Sequence, residues 1–153
     1  SGPSNALTRT RATLGDILSK PYWLRTDLIL SYLDGADAAA TAELLQALSP
    51  EITSINRATG GGLPQQWRVQ LLFILSHWAE VDPQAMMVQV QQLKLDLETV
   101  YLAYSMWVQL DWRAARAHMP SYEGVDWMGF TLEQEALEDP VGVLARLKAE
   151  TRS

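Results

Sequence analysis

The 153-residue sequence has no cysteine and only two histidines, His77 and His118. The first absence excludes a disulfide framework, thiolate-ligated zinc, iron–sulfur clusters and a cysteine nucleophile. The second leaves little material for an imidazole metal site. Positive charge is also short: 12 Lys and Arg against 18 Asp and Glu give a net charge of −6. That balance argues against nucleic acid as a partner, since nucleic-acid binding rests on a basic face. Long apolar runs are missing as well. The stretch Val69 to Ala79 is closed off by Arg68 and Glu80, well short of the roughly 18 apolar residues a membrane span requires. No membrane insertion is expected.

What is present is ordinary globular material, 48% hydrophobic and 20% charged, in a length that suits one domain with its own core. The opening "SGPSNA" reads as a tag remnant, so residues 1–12 are expected to be a flexible N-terminus, in a chain compatible with a piece of a longer bacterial protein. The compartment stays open. Charge is unevenly spread. Residues 7–25 carry Arg9, Arg11, Lys20 and Arg25 against Asp16 alone, whereas residues 121–139 carry Glu123, Asp126, Glu133, Glu135, Glu138 and Asp139 with no Lys or Arg.

Helix punctuation is dense. A small polar residue followed by Pro supplies an N-cap and then a pre-set φ, and this occurs at Ser49–Pro50, Asp82–Pro83 and Asp139–Pro140. Thr131 and Gln134 have capping-box spacing. Apolar residues recur at three and four, as in Met86, Val90, Leu93 and Leu97, with little period-two alternation. The expectation is an all-α fold with helices near 13–19, 22–33, 37–48, 50–58, 65–80, 83–94, 97–109, 112–118, 132–138 and 140–150. "TGGGLP", residues 59–64, is an exposed loop; it lacks the Lys-Ser/Thr and preceding strand of a phosphate loop.

One unit recurs three times. "ILSYLDGADAAA" (29–40) aligns with "ILSHWAEVDPQA" (74–85) at an offset of 45, matching Ile29, Leu30, Ser31, Asp37 and Ala40 to Ile74, Leu75, Ser76, Asp82 and Ala85. "AYSMWVQLDWRAA" (103–115) aligns at a further offset of 29 through Ser105, Trp107, Asp111 and Ala114. Each copy is a helix, a short turn, an Asp N-cap and a second helix with a small residue three places on, expected to let the two helices approach closely. Such a hairpin cannot bury its apolar face alone, so copies stack.

The string Trp78-Ala79-Glu80-Val81-Asp82-Pro83-Gln84-Ala85 resembles the hairpin repeats of bacterial α-solenoid proteins of the TPR-like and HEAT-like kind. Across residues 22–118 this resemblance implies stacked antiparallel helical hairpins, as a short α-solenoid or an irregular helical bundle, serving as a protein-binding scaffold. The organisation expected is a helical-repeat domain over 13–119, followed by an acidic cap segment and final helices over 120–153.

Candidate chemistry thins out on inspection. His77 lies near Glu80 and Asp82, but Asp82 is committed to helix capping. His118 closes a helix, where a cation suits the dipole. Ser31, Ser76 and Ser105 sit inside helices without a nucleophile elbow, which points to helix packing. No enzyme, cofactor or metal is expected. Trp23, Trp67, Trp78 and Trp107 read as core. Trp112, Tyr122, Trp127, Met128 and Phe130, in or near the irregular "MPSYEGVDWMGF", have two readings: as candidate partner-binding residues, facing a basic or amphipathic segment of another protein, or as internal caps that fold back over the open end of the helical stack. The alternative is a small-molecule-binding domain whose apolar pocket is lined by Trp78, Trp107 and Met86.

Overall fold

A computed structural model describes residues 11–152. Among these residues there are eight α-helices and no strand, so the fold is all-α. They are α1 (Leu14–Leu18), α2 (Thr26–Leu33), α3 (Ala38–Thr59), α4 (Gln65–Val81), α5 (Pro83–Gln92), α6 (Leu97–Ala117), α7 (Trp127–Glu138) and α8 (Pro140–Thr151), with a 3-10 turn at Tyr22–Leu24. The expected N-terminal tail lies outside the described residues except for Arg11 and Ala12, which are anchored. Arg11 sits over the Tyr32 ring, and the Ala12 N–H donates to Ser31 Oγ at 3.1 Å.

Helices α2, α4 and α6 pack side by side in one layer, and α3 and α5 form the second, with α7 against α6 and α8 against α7. Matching positions of the repeated unit keep matching roles: Ile29, Ile74 and Ala103 are fully buried, as are Leu33, Trp78 and Trp107 to within a few per cent. The arrangement is a stack of helix pairs of unequal length. One continuous core runs through it, from Ile17 to Trp127.

The turns explain the pairing. At Asp82 (φ −159°, ψ 85°) and Asp111 (φ −156°, ψ 85°) the backbone leaves the helix for one residue and re-enters it. At Asp82 the amide still donates to the Trp78 carbonyl at 2.8 Å, and the Asp82 carbonyl accepts from Met86 at 3.1 Å. A single residue therefore redirects the chain while leaving almost no backbone group unpaired. Asp111 puts the same bend inside α6, between the helices expected at 97–109 and 112–118. Asp139 (φ −139°, ψ 71°) makes a third such corner, between α7 and α8.

The small residue three places on has a more local reason than helix approach. It is where the capping carboxylate lands: Oδ1 of Asp37, Asp82, Asp111, Asp126 and Asp139 accepts from the N–H of Ala40, Ala85, Ala114, Gly129 and Gly142 at 2.8–3.2 Å. A Cβ on Gly142 would come within 2.1 Å of Asp139 Oδ2, so the carboxylate at that cap lies across the space a side chain would use.

Two expected boundaries are corrected. Ser49–Pro50 starts no helix; α3 runs through it. Pro50 cannot donate to the Gln46 carbonyl, but the Ser49 hydroxyl does so at 2.9 Å. The buried row Leu44, Leu48 and Ile52 then continues unbroken across the proline. Likewise α7 begins at Trp127 rather than 132, because Asp126 caps it. Thr131, expected to open a capping box, is instead fully buried inside the helix, with its hydroxyl donating to the Met128 carbonyl. Between α3 and α4, Gly60 (φ 71°) closes α3 in the left-handed region, Gly61 also has positive φ, and both are exposed.

Candidate functional site

The expected partner-binding residues fall into three situations. Trp127 is buried, 5% exposed, at the centre of an aromatic cluster with Tyr101 (5.4 Å between ring centroids), Tyr104 (5.2 Å), Phe130 (5.6 Å) and Tyr122 (6.1 Å). Edge and offset contacts of this kind hold α7 on α6. Tyr104 is fully buried and donates to the Ala115 carbonyl at 2.8 Å; burial pushes its phenol up to about 12. Trp112 is half-buried elsewhere, with the guanidinium groups of Arg113 and Arg116 4.4 and 4.6 Å from its ring centre. Met128 is exposed. The segment thus folds back onto the end of the stack, with only part of its apolar surface outside.

Most acidic groups of the C-terminal region have internal duties. Asp126 and Asp139 cap helices, Glu138 pairs with Arg113, and Glu135 receives both Arg116 and Arg146. Hydrogen bonding from Arg146 and Arg116 holds the Glu135 carboxyl down at about 2. Arg116 also donates to Thr131 Oγ1 at 3.0 Å, so one cluster ties α6, α7 and α8 together. Glu123 and Glu133 remain exposed.

Arg25, unremarkable in the sequence, is a structural centre. It is 2% exposed, donates Nε to the Ile17 carbonyl, forms a fork to Glu51 at 2.7 and 2.9 Å, and lies over Trp67. Only its place in three dimensions reveals this, because Glu51 is 26 residues away. Trp23, expected in the core, is 56% exposed; it sits in the 3-10 turn, where the side chains diverge faster than in an α-helix.

The histidines and serines are engaged as follows. His77 Nε2 bonds the Ala36 carbonyl at 2.8 Å, fastening α4 to the turn after α2. His118 ends α6, stacks on Trp107 and bonds the Ala114 carbonyl. Ser31 holds the N-terminal segment, whereas Ser76 is exposed, so helix packing does not account for all three serines.

The surface feature that emerges is a trough along the outer side of the α2–α4–α6 layer. One part, about 620 Å³, is lined by Leu30, Asp34, Phe73, His77 and Glu80, with Arg11 as its one cationic side chain. Glu80 also lines the next part, about 480 Å³, with Asp82, Trp107, Leu110, Asp111 and His118. Leu30, Phe73 and Leu110 expose 44%, 36% and 56% of their surface there. Asp34 and Glu80 have no ion-pair partner among the described residues. By contrast Trp78 and Met86 are fully buried in the core, while Trp107, 3% exposed, lines the second part of the trough. Sequence pattern gave notice of the helices that flank the trough but not of its apolar lining, since Leu30 and Leu75 occupy matching repeat positions and only Leu30 is exposed. Comparison with known proteins finds no matching family model, no matching curated protein and no matching solved structure.

Proposed function

We propose that this protein is a non-catalytic interaction module of helical pairs, and that its trough receives an amphipathic helix with a basic polar face. The observation that carries the reading is the combination along one surface of exposed Leu30, Phe73 and Leu110 with the unpaired carboxylates of Asp34 and Glu80. Large apolar side chains supply the anchoring contacts of helix-in-groove recognition. The carboxylates favour a cationic partner and set its orientation. The net charge of −6 acts in the same direction at longer range.

A model helical peptide with leucine on one face and lysine on the other is the probe, observed by backbone amide NMR of the whole chain. Shifts concentrated around Leu30, Phe73, Glu80 and Leu110 are expected, with binding weakened roughly tenfold by Phe73→Ala or Glu80→Lys and a circular dichroism spectrum unchanged in both variants. Equal binding of a control peptide carrying glutamate in place of lysine, or shifts that map to another face, would overturn the reading.

A further inference from the structure

Helix α8 breaks the rule that the other long helices follow. A surface helix ordinarily turns its apolar stripe inward, yet of the apolar side chains of α8 only Val143 is buried. Val141 is 78% exposed, Leu144 54% and Leu147 39%, and Leu137, just before the corner, is 78% exposed. The spacing 141, 144, 147 keeps these side chains along one side of the helix. Helix α8 packs chiefly on α7 and adds none of these leucines to the continuous core. An apolar stripe of this length on an otherwise charged surface marks a contact.

The charges beside the stripe indicate what covers it. The corner at its start carries Asp139, an exposed carboxylate that also caps α8, and Glu138, which pairs with Arg113; its last turn carries Lys148 and Arg152 with Glu150 between them. Arg146 and Glu150 lie on the opposite flank, where Arg146 is bound to Glu135 and held in its charged form by that carboxylate and by Glu150. The start of α8 is thus acidic and its last turn carries a net positive charge, with the apolar stripe between, so the helix is complementary to itself when reversed.

We propose that α8 is the contact of a two-fold dimer, in which the helix packs antiparallel against α8 of a second copy. With the axis at Leu144, each Leu144 meets its counterpart, Val141 meets Leu147 of the second copy, and Lys148 comes over the Asp139 end. This is an isologous interface, closed after two chains. It is separate from the trough, which lies on the α2–α4–α6 layer. One helix face buries less than the roughly 1,200 Å² of a standard interface, so the dimer is concentration-dependent.

The absence of cysteine allows a direct test with the full chain. Sedimentation equilibrium into the hundreds of micromolar should show a monomer–dimer equilibrium. Leu144→Asp should abolish it and Lys148→Glu should weaken it several-fold, with the helical circular dichroism spectrum retained in each. Under mild oxidation Leu144→Cys should cross-link to a dimer at least tenfold faster than Ser54→Cys on exposed α3, and Leu144→Cys needs no loss of folding to be read. A mixture of Val141→Cys and Leu147→Cys chains should yield chiefly the mixed disulfide. A monomer at all concentrations, or cross-linking no faster than at Ser54, overturns the dimer. Homodisulfides of Val141→Cys and of Leu147→Cys in preference to the mixed product overturn the antiparallel arrangement.

Discussion

Two corners of this molecule share a backbone and differ in everything around it. At Asp82, as at Asp139, an extended residue joins two helices, its carboxylate caps the second, and proline follows. Around Asp82 the flanking side chains Trp78, Met86, Met87 and Val90 are buried; around Asp139 the flanking Leu137, Val141 and Leu144 are exposed. Burial here is decided by what stands next to a corner. Helix pair α4–α5 has neighbours on both sides, α2 and α3 on one and α6 on the other, whereas α8 packs chiefly on α7.

Core truncation tests the contrast most severely. Trp78→Ala removes a fully buried indole and should lower the unfolding free energy by about 3–5 kcal/mol, read as a shifted denaturant midpoint. Trp127→Ala should cost a similar amount, because Trp127 joins the cluster of Tyr101, Tyr104 and Phe130. A midpoint unchanged in Trp127→Ala would place that ring outside the core and restore "MPSYEGVDWMGF" as a partner surface.

Caps come next. Asp82→Ala should destabilise by about 0.5–2 kcal/mol in equilibrium unfolding. Asp139→Ala should instead appear as faster amide exchange confined to α8, since little beyond α7 depends on that helix.

A pH dependence separates the regions further. The Glu135 carboxyl is depressed from 4.5 to about 2 by Arg146 and Arg116. A lowered pKa in the folded state contributes stability that is fully present above 4.5 and is lost as pH falls towards 2. Amide protection factors in α7 and α8, taken relative to the intrinsic exchange rate at each pH, should therefore fall across that interval before those of the α2–α5 region, and Glu135→Gln should remove the difference.

Smallest is Leu144→Ala. At low protein concentration it should change the unfolding free energy by less than about 0.5 kcal/mol, because that side chain leaves nothing behind in the monomer's core.

Much of the architecture was legible from residues alone, for definable reasons. Asp at positions 37, 82 and 111 announces helix starts because a carboxylate satisfies free N–H groups locally, without reference to the rest of the chain. The turn at Asp139 carries the same Ala-x-x-Asp-Pro pattern as Asp82, in Ala136 and Ala79, a likeness outside the three-copy alignment. Ser49–Pro50 misled because a serine hydroxyl can replace a proline's missing donor from inside a helix, a substitution that depends on geometry three residues away. The trough, the Arg25 centre and the bare stripe of α8 were not legible. Each depends on which helices become neighbours, and the residues concerned are separated by dozens of positions or distinguished only by exposure.

One-residue corners also fix where the chain has slack. At Asp82, Asp111 and Asp139 the hydrogen-bonding pattern passes from helix to helix with no intervening loop, so an inserted residue would rotate everything beyond it by about 100° around the helix axis and turn a buried face outward. At Gly60 and Gly61, exposed and already in left-handed backbone, added residues would only lengthen a link between α3 and α4. The molecule can thus be reopened or extended at its glycines, while its aspartates hold the spacing of the whole stack.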